Sequence, residues 1–283
     1  MTQSRARVSP QWLSLREPAD ARARSVELAE EVAAEVARGL DDGARPVVVH
    51  DLGSGTGSMG RWLAPRLRGP QHWVLHDRDP DLLPLAATQP LPRDGDGVEM
   101  TVETRQDDIT RLGPDGLRSA SVITASALLD MLSVDELERL VRSCVDADCP
   151  ALISLSVTGR VRLIPPDAMD SVIRHAFNEH QRRTTQGRTL LGPVAARAAV
   201  HLFRMMGSHV EVRASPWRLE RDSKELIGEW LTGWVGAACE QRHDLTPAAS
   251  DYLARRRADL TRGRLAVIVQ HVDLLARPHR SVR

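Results

Sequence analysis

Between residues 46 and 157 the chain alternates short, continuous apolar runs with stretches in which apolar residues recur every three or four positions. The runs PVVVHDL (46–52), HWVLHD (72–77), VEMTVET (98–104), ASVITAS (120–126) and ALISLSV (151–157) have the length and β-branched content of strands. Helical patterns lie between most of them: MGRWLAPRL after Ser58, PDLLPLAA after Asp79 with Pro80 suited to a first turn, and SVDELERLVRSCV (133–145). The last opens on a capping box, Ser133-x-x-Glu136, in which hydroxyl and carboxylate satisfy each other's backbone donors. An amphipathic helix from Asp20 to Arg38 leads into the first strand and is closed by Gly39 and Gly43. Strand, helix, strand in alternation predicts an α/β fold with a parallel sheet covered on both faces.

The C-terminal half leaves that rhythm. DAMDSVIRHAFNEHQRR and PVAARAAVHLFRMMG predict two helices inserted after the fifth strand, at about 160–207, followed by a sixth strand HVEVRAS (209–215). Two more helices, DSKELIGEWLTGWVGAACEQ (222–241) and TPAASDYLARRRADLTRG (246–263), precede a closing strand LAVIVQHV (265–272), which makes seven strands. Residues 1–44 read as a lead-in with its helix, residues 45–283 as one domain containing the insertion, and PLPRDGDG (90–97) as a surface loop.

Composition changes this picture only at its margins. A formal net charge of zero argues against a chain built chiefly to neutralise nucleic-acid phosphate. Cys144, Cys149 and Cys239 are too few and too scattered for a disulfide framework, and no Cys-x-x-Cys offers a zinc site, so no metal is expected and a reducing, cytoplasmic setting is. The first thirty residues carry charge throughout, and no run reaches the eighteen or so apolar residues of a membrane span, so neither secretion nor a membrane partner is expected. Lys224 is the only lysine, which points to the codon usage of a GC-rich bacterium.

The candidate chemistry begins at HDLGSGTGSMG, His50 to Gly60, where the first strand ends. Two glycine patterns overlap there: Gly53-x-Gly55-x-Gly57, and Gly55-x-Gly57-x-x-Gly60, which spells the dinucleotide fingerprint. That fingerprint should start straight after its strand, and this one starts a couple of residues late. Asp51 decides further. A carboxylate two residues before the first glycine repels a pyrophosphate and attracts an ammonium. The absence of Gly-Lys-Ser/Thr removes the P-loop reading.

Asp51-Leu-Gly53-Ser-Gly55-Thr-Gly57 resembles the first motif of class I S-adenosylmethionine-dependent methyltransferases. The similarity covers residues 45–157 in motif detail and the strand order to 272 in outline. It implies a Rossmann-like, seven-stranded, mostly parallel doubly wound sheet with an antiparallel last strand, in a three-layer α/β/α sandwich, and S-adenosyl-L-methionine as cofactor. Gly53, Ser54, Gly55 and Gly57 would then form the cofactor loop. Asp77, closing the second strand with Arg78 beside it, would hold the ribose hydroxyls, with Asp79 as rival. Asp108 would take the adenine amine and Ile109 line the ring, with Asp107 as rival. Ser126 and Ala127, in TASALLDML (124–132), would approach the methionine part. No Asn-Pro-Pro-Tyr occurs there, so the pattern of amino-methylating nucleic-acid enzymes is missing.

The acceptor side is less defined. Asp130 either faces the transferred methyl or begins the loop before Ser133. In HAFNEHQRRTTQGR (175–188), His175, Asn178 and Arg182 can share a helical face, which makes the insertion a candidate lid and His175 or His180 candidate bases. Trp230 and Trp234 lie one turn apart and, with Trp217, read as core or as an acceptor pocket; Trp12 is a candidate lid residue. The expected activity is in-line methyl transfer to a small-molecule acceptor. An RNA acceptor gripped by Arg255–Arg257 and the tail RPHRSVR, and a cofactor-binding scaffold without catalysis, are the alternatives, and a homodimer stays open.

Overall fold

A computed structural model describes residues 8–39, 45–88 and 100–279. Helices α1 (Pro10–Ala23) and α2 (Val26–Gly39) lead into β1 (Val47–Leu52), α3 (Ser58–Leu63), β2 (Gln71–Asp77), α4 (Leu83–Thr88), β3 (Thr101–Gln106), β4 (Val122–Ser126), α5 (Val134–Asp146) and β5 (Ala151–Ile164). Then come α6 (Asp170–Gln181), the two-residue strands β6 (Thr184–Thr185) and β7 (Arg188–Thr189), α7 (Ala195–Met205), β8 (His209–Ala214), β9 (Trp217–Leu219), α8 (Lys224–Gln241), α9 (Thr246–Thr261) and β10 (Ala266–Arg277).

The main sheet has the order β3-β2-β1-β4-β5-β10-β8, with β9 paired to β10. Strands β1 to β5 run parallel, and β10 is antiparallel to β5 and β8. Alternation along the central strands distributes the core between the two faces. Ile123, Ala125, Ile153 and Leu274 pack under α5 and α7, whereas Val122, Leu152 and Leu275 pack with α2 and α3. This is the doubly wound α/β/α sandwich that the resemblance implies.

The differences from expectation have local causes. One leading helix was expected and two occur. Ser9 caps α1 through its hydroxyl, Pro10 occupies the first turn, and Arg24 leaves the helix with ψ 140° before Ser25 starts α2. Strands β5 and β10 run well beyond their apolar segments because they pair with each other, and β9 adds an eighth strand over Val267–Val269. The inserted helices therefore begin only after Ile164. The apolar face of α6, with α8, α9 and α1, forms a third cluster around Trp217, Trp234 and Tyr252, whereas α7 packs with α5. The turn at Pro80 precedes α4 by several residues, while the Ser133–Glu136 capping box forms as expected. Gly43 and the loop 90–97 lie outside the described residues.

Candidate active site

A cavity of about 880 Å³ opens at the carboxyl ends of the parallel strands. That is where an open α/β sheet offers a crevice, because adjacent crossovers leave to opposite faces there. Gly53, Gly55 and Gly57, with φ of 68°, 56° and 82°, turn the chain from β1 into α3 along this wall. A Cβ on Gly53 would lie 3.0 Å from Leu128, and one on Gly55 3.2 Å from Leu13, so backbone alone fits between these side chains. Gly53 and Ser54 donate their N–H groups to the His76 carbonyl, fastening the loop to the end of β2.

Asp51 is 1% exposed and lines this cavity. Its Oδ1 accepts from Thr124 Oγ1 at 2.8 Å, and its Oδ2 has no partner among the described residues. Burial pushes its carboxyl up to about 6, against the pull of the Thr124 bond and the Arg24 charge. The Ser54 hydroxyl beside it is likewise buried without a partner. Asp77 stands at the end of β2, its Oδ2 accepting from Gly55 N at 2.8 Å and its Oδ1 from Asp79 N at 2.9 Å. These bonds orient the carboxylate and leave further lone pairs facing the cavity. Arg78, Asp79, Asp107, Asp108 and Ile109 line the same end.

The rival acids differ in what holds them. Asp108 accepts from the Thr110 amide and hydroxyl, capping a short 3-10 turn. Asp107 accepts from His76 Nδ1 at 3.1 Å, which gives His76 Nε2 the acceptor role toward His50 Nδ1 at 2.9 Å. Burial keeps both imidazoles neutral, pushing His50 down to about 4. Ser126 and Ala127 close the floor. Arg24, buried at the α1–α2 corner, donates to Ser126 Oγ at 3.2 Å and to Ser58 Oγ at 3.1 Å, joining the leading helices to the end of β4 and the start of α3. A second tie is Arg61, which donates to both oxygens of Glu17 on α1 and to the Thr56 carbonyl in the glycine loop.

The far end of the cavity is aromatic. Trp12 and Trp217 meet edge to face at 6.4 Å, and Trp230 and Trp234 stack at 4.8 Å. Phe177 and Gln181 from α6, Asp130, and His271 from β10 complete it. All three tryptophans whose reading was left open therefore reach the cavity wall, as does Trp12. Asp130 accepts from Gln181 Nε2 at 3.3 Å, and burial pushes its carboxyl up to about 6.

The two candidate bases are a correction. His175 is exposed and its Nδ1 bonds the Ser171 carbonyl, while His180 pairs with Glu240 at 3.1 Å; neither lines the cavity. Asn178 on the same face donates to the Gly159 carbonyl, so this surface is committed to holding β5. The face that reaches the cavity instead carries Phe177 and Gln181, one helical turn apart. Sequence reasoning passed over Gln181, Arg16, Asp20 and His271. A signal existed for the last, since His271 and Asp273 put two titratable groups on one face of a mostly apolar strand.

No family model matches the chain, and no curated protein matches it. Among solved structures, a cyclopropane synthase from Mycobacterium tuberculosis is 11% identical, with 95% of each chain covered and a TM-score of 0.49. A putative type II methyltransferase from Anaeromyxobacter dehalogenans is 14% identical over 91% of this chain and 99% of that one, at 0.49. A SAM-dependent methyltransferase from Geobacter sulfurreducens, in complex with S-adenosyl-L-homocysteine, is 18% identical over 96% and 99%, at 0.44. At such identities the likeness concerns chain trace alone.

Proposed function

We propose that this chain is an S-adenosylmethionine-dependent methyltransferase acting on a small-molecule acceptor. The observation that carries the reading is a single cavity shared by a positive-φ glycine loop, a buried carboxylate with one unpartnered oxygen, and an aromatic chamber. The residues fit the cofactor: the free Asp51 oxygen suits the ammonium of a methionine moiety, and the loop has no Cβ to exclude it. Asp77 would hold the ribose hydroxyls, with Asp108 and Ile109 beside the adenine. When bound, S-adenosylmethionine supplies a methyl group on a sulfonium, so an acceptor lone pair displaces a neutral thioether in line and no protein nucleophile is required.

The chain's own task is then to align the acceptor, exclude water and take up any proton the acceptor loses. Asp130, on the aromatic side and ionised above about pH 6, is the group available for the last role. His271 is buried and pushed down to about 3 by that burial, so it stays neutral. The three cysteines are free thiols, which supports a reducing, cytoplasmic setting. The arginine run is partly committed within the fold: Arg255 pairs with Asp167, Arg256 is buried against Asp170, and the exposed Arg257 donates to the Thr232 hydroxyl. Arg277 of the tail pairs with Glu31 and Glu211, and residues 280–283 lie outside the described residues.

Incubation with methyl-labelled S-adenosylmethionine and a metabolite extract, read by mass spectrometry, tests the reading, and no labelled small molecule would sink it. Asp77→Ala is expected to weaken S-adenosylhomocysteine binding by about 1–3 kcal/mol, since the ribose hydroxyls lose a charged acceptor. Unchanged affinity by calorimetry would remove Asp77 from the site.

A further inference from the structure

We infer that the acceptor is a small molecule carrying a basic nitrogen, whose N–H groups are received by the Asp130 carboxylate and the Gln181 side-chain oxygen within a tryptophan-walled chamber. The assignment of this end to the acceptor rests on the methyltransferase reading, whereas recognition of a cation here does not depend on methyl transfer.

Charge accounting at this end of the cavity supports the inference. Arg16 is held by Asp20 through two hydrogen bonds, Nε to Oδ2 at 2.9 Å and Nη2 to Oδ1 at 3.2 Å, and Asp20 also accepts from Trp217 Nε1. Arg188 is held by Glu136 and the Met131 carbonyl. Asp130 has no ion pair among the described residues; its one side-chain partner is the Gln181 amide. Arg16 lies close enough to favour its charge, yet is already committed to Asp20. The unmatched charge of the chamber is therefore negative.

Hydrogen-bond accounting points the same way. Gln181 Oε1 is buried without a partner among the described residues, and reversing the amide would set oxygen against the Asp130 carboxylate, so its orientation is fixed by that carboxylate. The two adjacent side chains thus offer acceptors and call for a donor-rich group. Aromatic faces carry negative potential that favours a cation and a flat apolar body over an anion. An anionic acceptor would meet Asp130 while Arg16 and Arg188, the cations described at this end, are held by Asp20 and Glu136.

The test uses calorimetry on the full chain loaded with S-adenosylhomocysteine, with three probes of one shape: tryptamine, indole-3-propionate and 3-methylindole. Tryptamine is expected to bind at least about tenfold more tightly than the other two. Asp130→Asn should abolish that preference and Gln181→Leu reduce it, with the affinity for S-adenosylhomocysteine unchanged in both. Equal or tighter binding of indole-3-propionate or 3-methylindole overturns the inference. So does a preference that survives Asp130→Asn, or a failure of all three probes to bind. If S-adenosylhomocysteine itself gives no heat, the methyltransferase reading fails, while the tryptamine titration, repeated without it, still decides the amine site by its dependence on Asp130.

Discussion

Asp51→Asn is expected to stabilise the ligand-free protein and to weaken cofactor binding, two effects of opposite sign from one atom. Burial raises the folded-state value of Asp51 to about 6, from an ordinary 3.8. A raised carboxyl makes the fold favour the protonated form, so the ionised form costs nothing below about pH 4, and the cost grows until the pH passes about 6. Near neutral pH that cost is about 3 kcal/mol, from roughly two pKa units at 1.36 kcal/mol each. The asparagine keeps an acceptor for Thr124 and carries no charge. Its melting temperature should therefore exceed that of the wild type at pH 8 and match it at pH 4. Binding should move the other way. The ammonium of the cofactor loses a charged partner, and affinity should fall about 10- to 100-fold at pH 8. Wild-type affinity should itself drop as the pH is lowered through about 6, while that of the variant stays flat. A variant that binds S-adenosylmethionine as tightly as the wild type would remove Asp51 from the cofactor site.

Asp273→Ala should produce the largest loss of stability, about 3–5 kcal/mol in urea unfolding. This carboxylate, on β10, is wholly buried and gathers three separate parts of the chain. It accepts from Leu155 N at 2.7 Å, from Ser25 N at 2.8 Å and from the Ser215 hydroxyl at 2.5 Å. Leu155 has φ 56°, a left-handed conformation that a leucine holds only when its surroundings impose it. Alanine would leave the buried Leu155 amide and the half-buried Ser25 amide without acceptors and release Leu155, which lines the cavity. Ser25 follows Arg24, whose guanidinium binds Ser58 and Ser126, so looser cofactor binding should accompany the destabilisation. A loss below about 1 kcal/mol would mean that water replaces these bonds.

The sequence by itself determined the sheet and one wall of its crevice. Apolar runs of strand length, separated by helical periodicities, leave few options beyond a doubly wound sheet, and in such a sheet a strand-end acid followed by glycines must face the crevice. The placement of Asp51, Gly53, Gly55, Asp77 and Asp108 at the crevice was legible for that reason: each lies within a few residues of a strand end, and position along one strand fixes direction. The aromatic end of the cavity was decided by tertiary structure. Helix α1 was missed because its inward positions include Arg16 and Asp20, a charged pair that breaks the apolar periodicity and to which the Trp217 indole donates in the fold. His175 and Gln181 are six residues apart on one helix, and only the packing of α6 against α8 and β5 decides which of them meets the cavity. Periodicity identifies the faces of a helix, but which neighbour each face meets is set by contacts between residues far apart in the chain, and these exist only in the folded molecule.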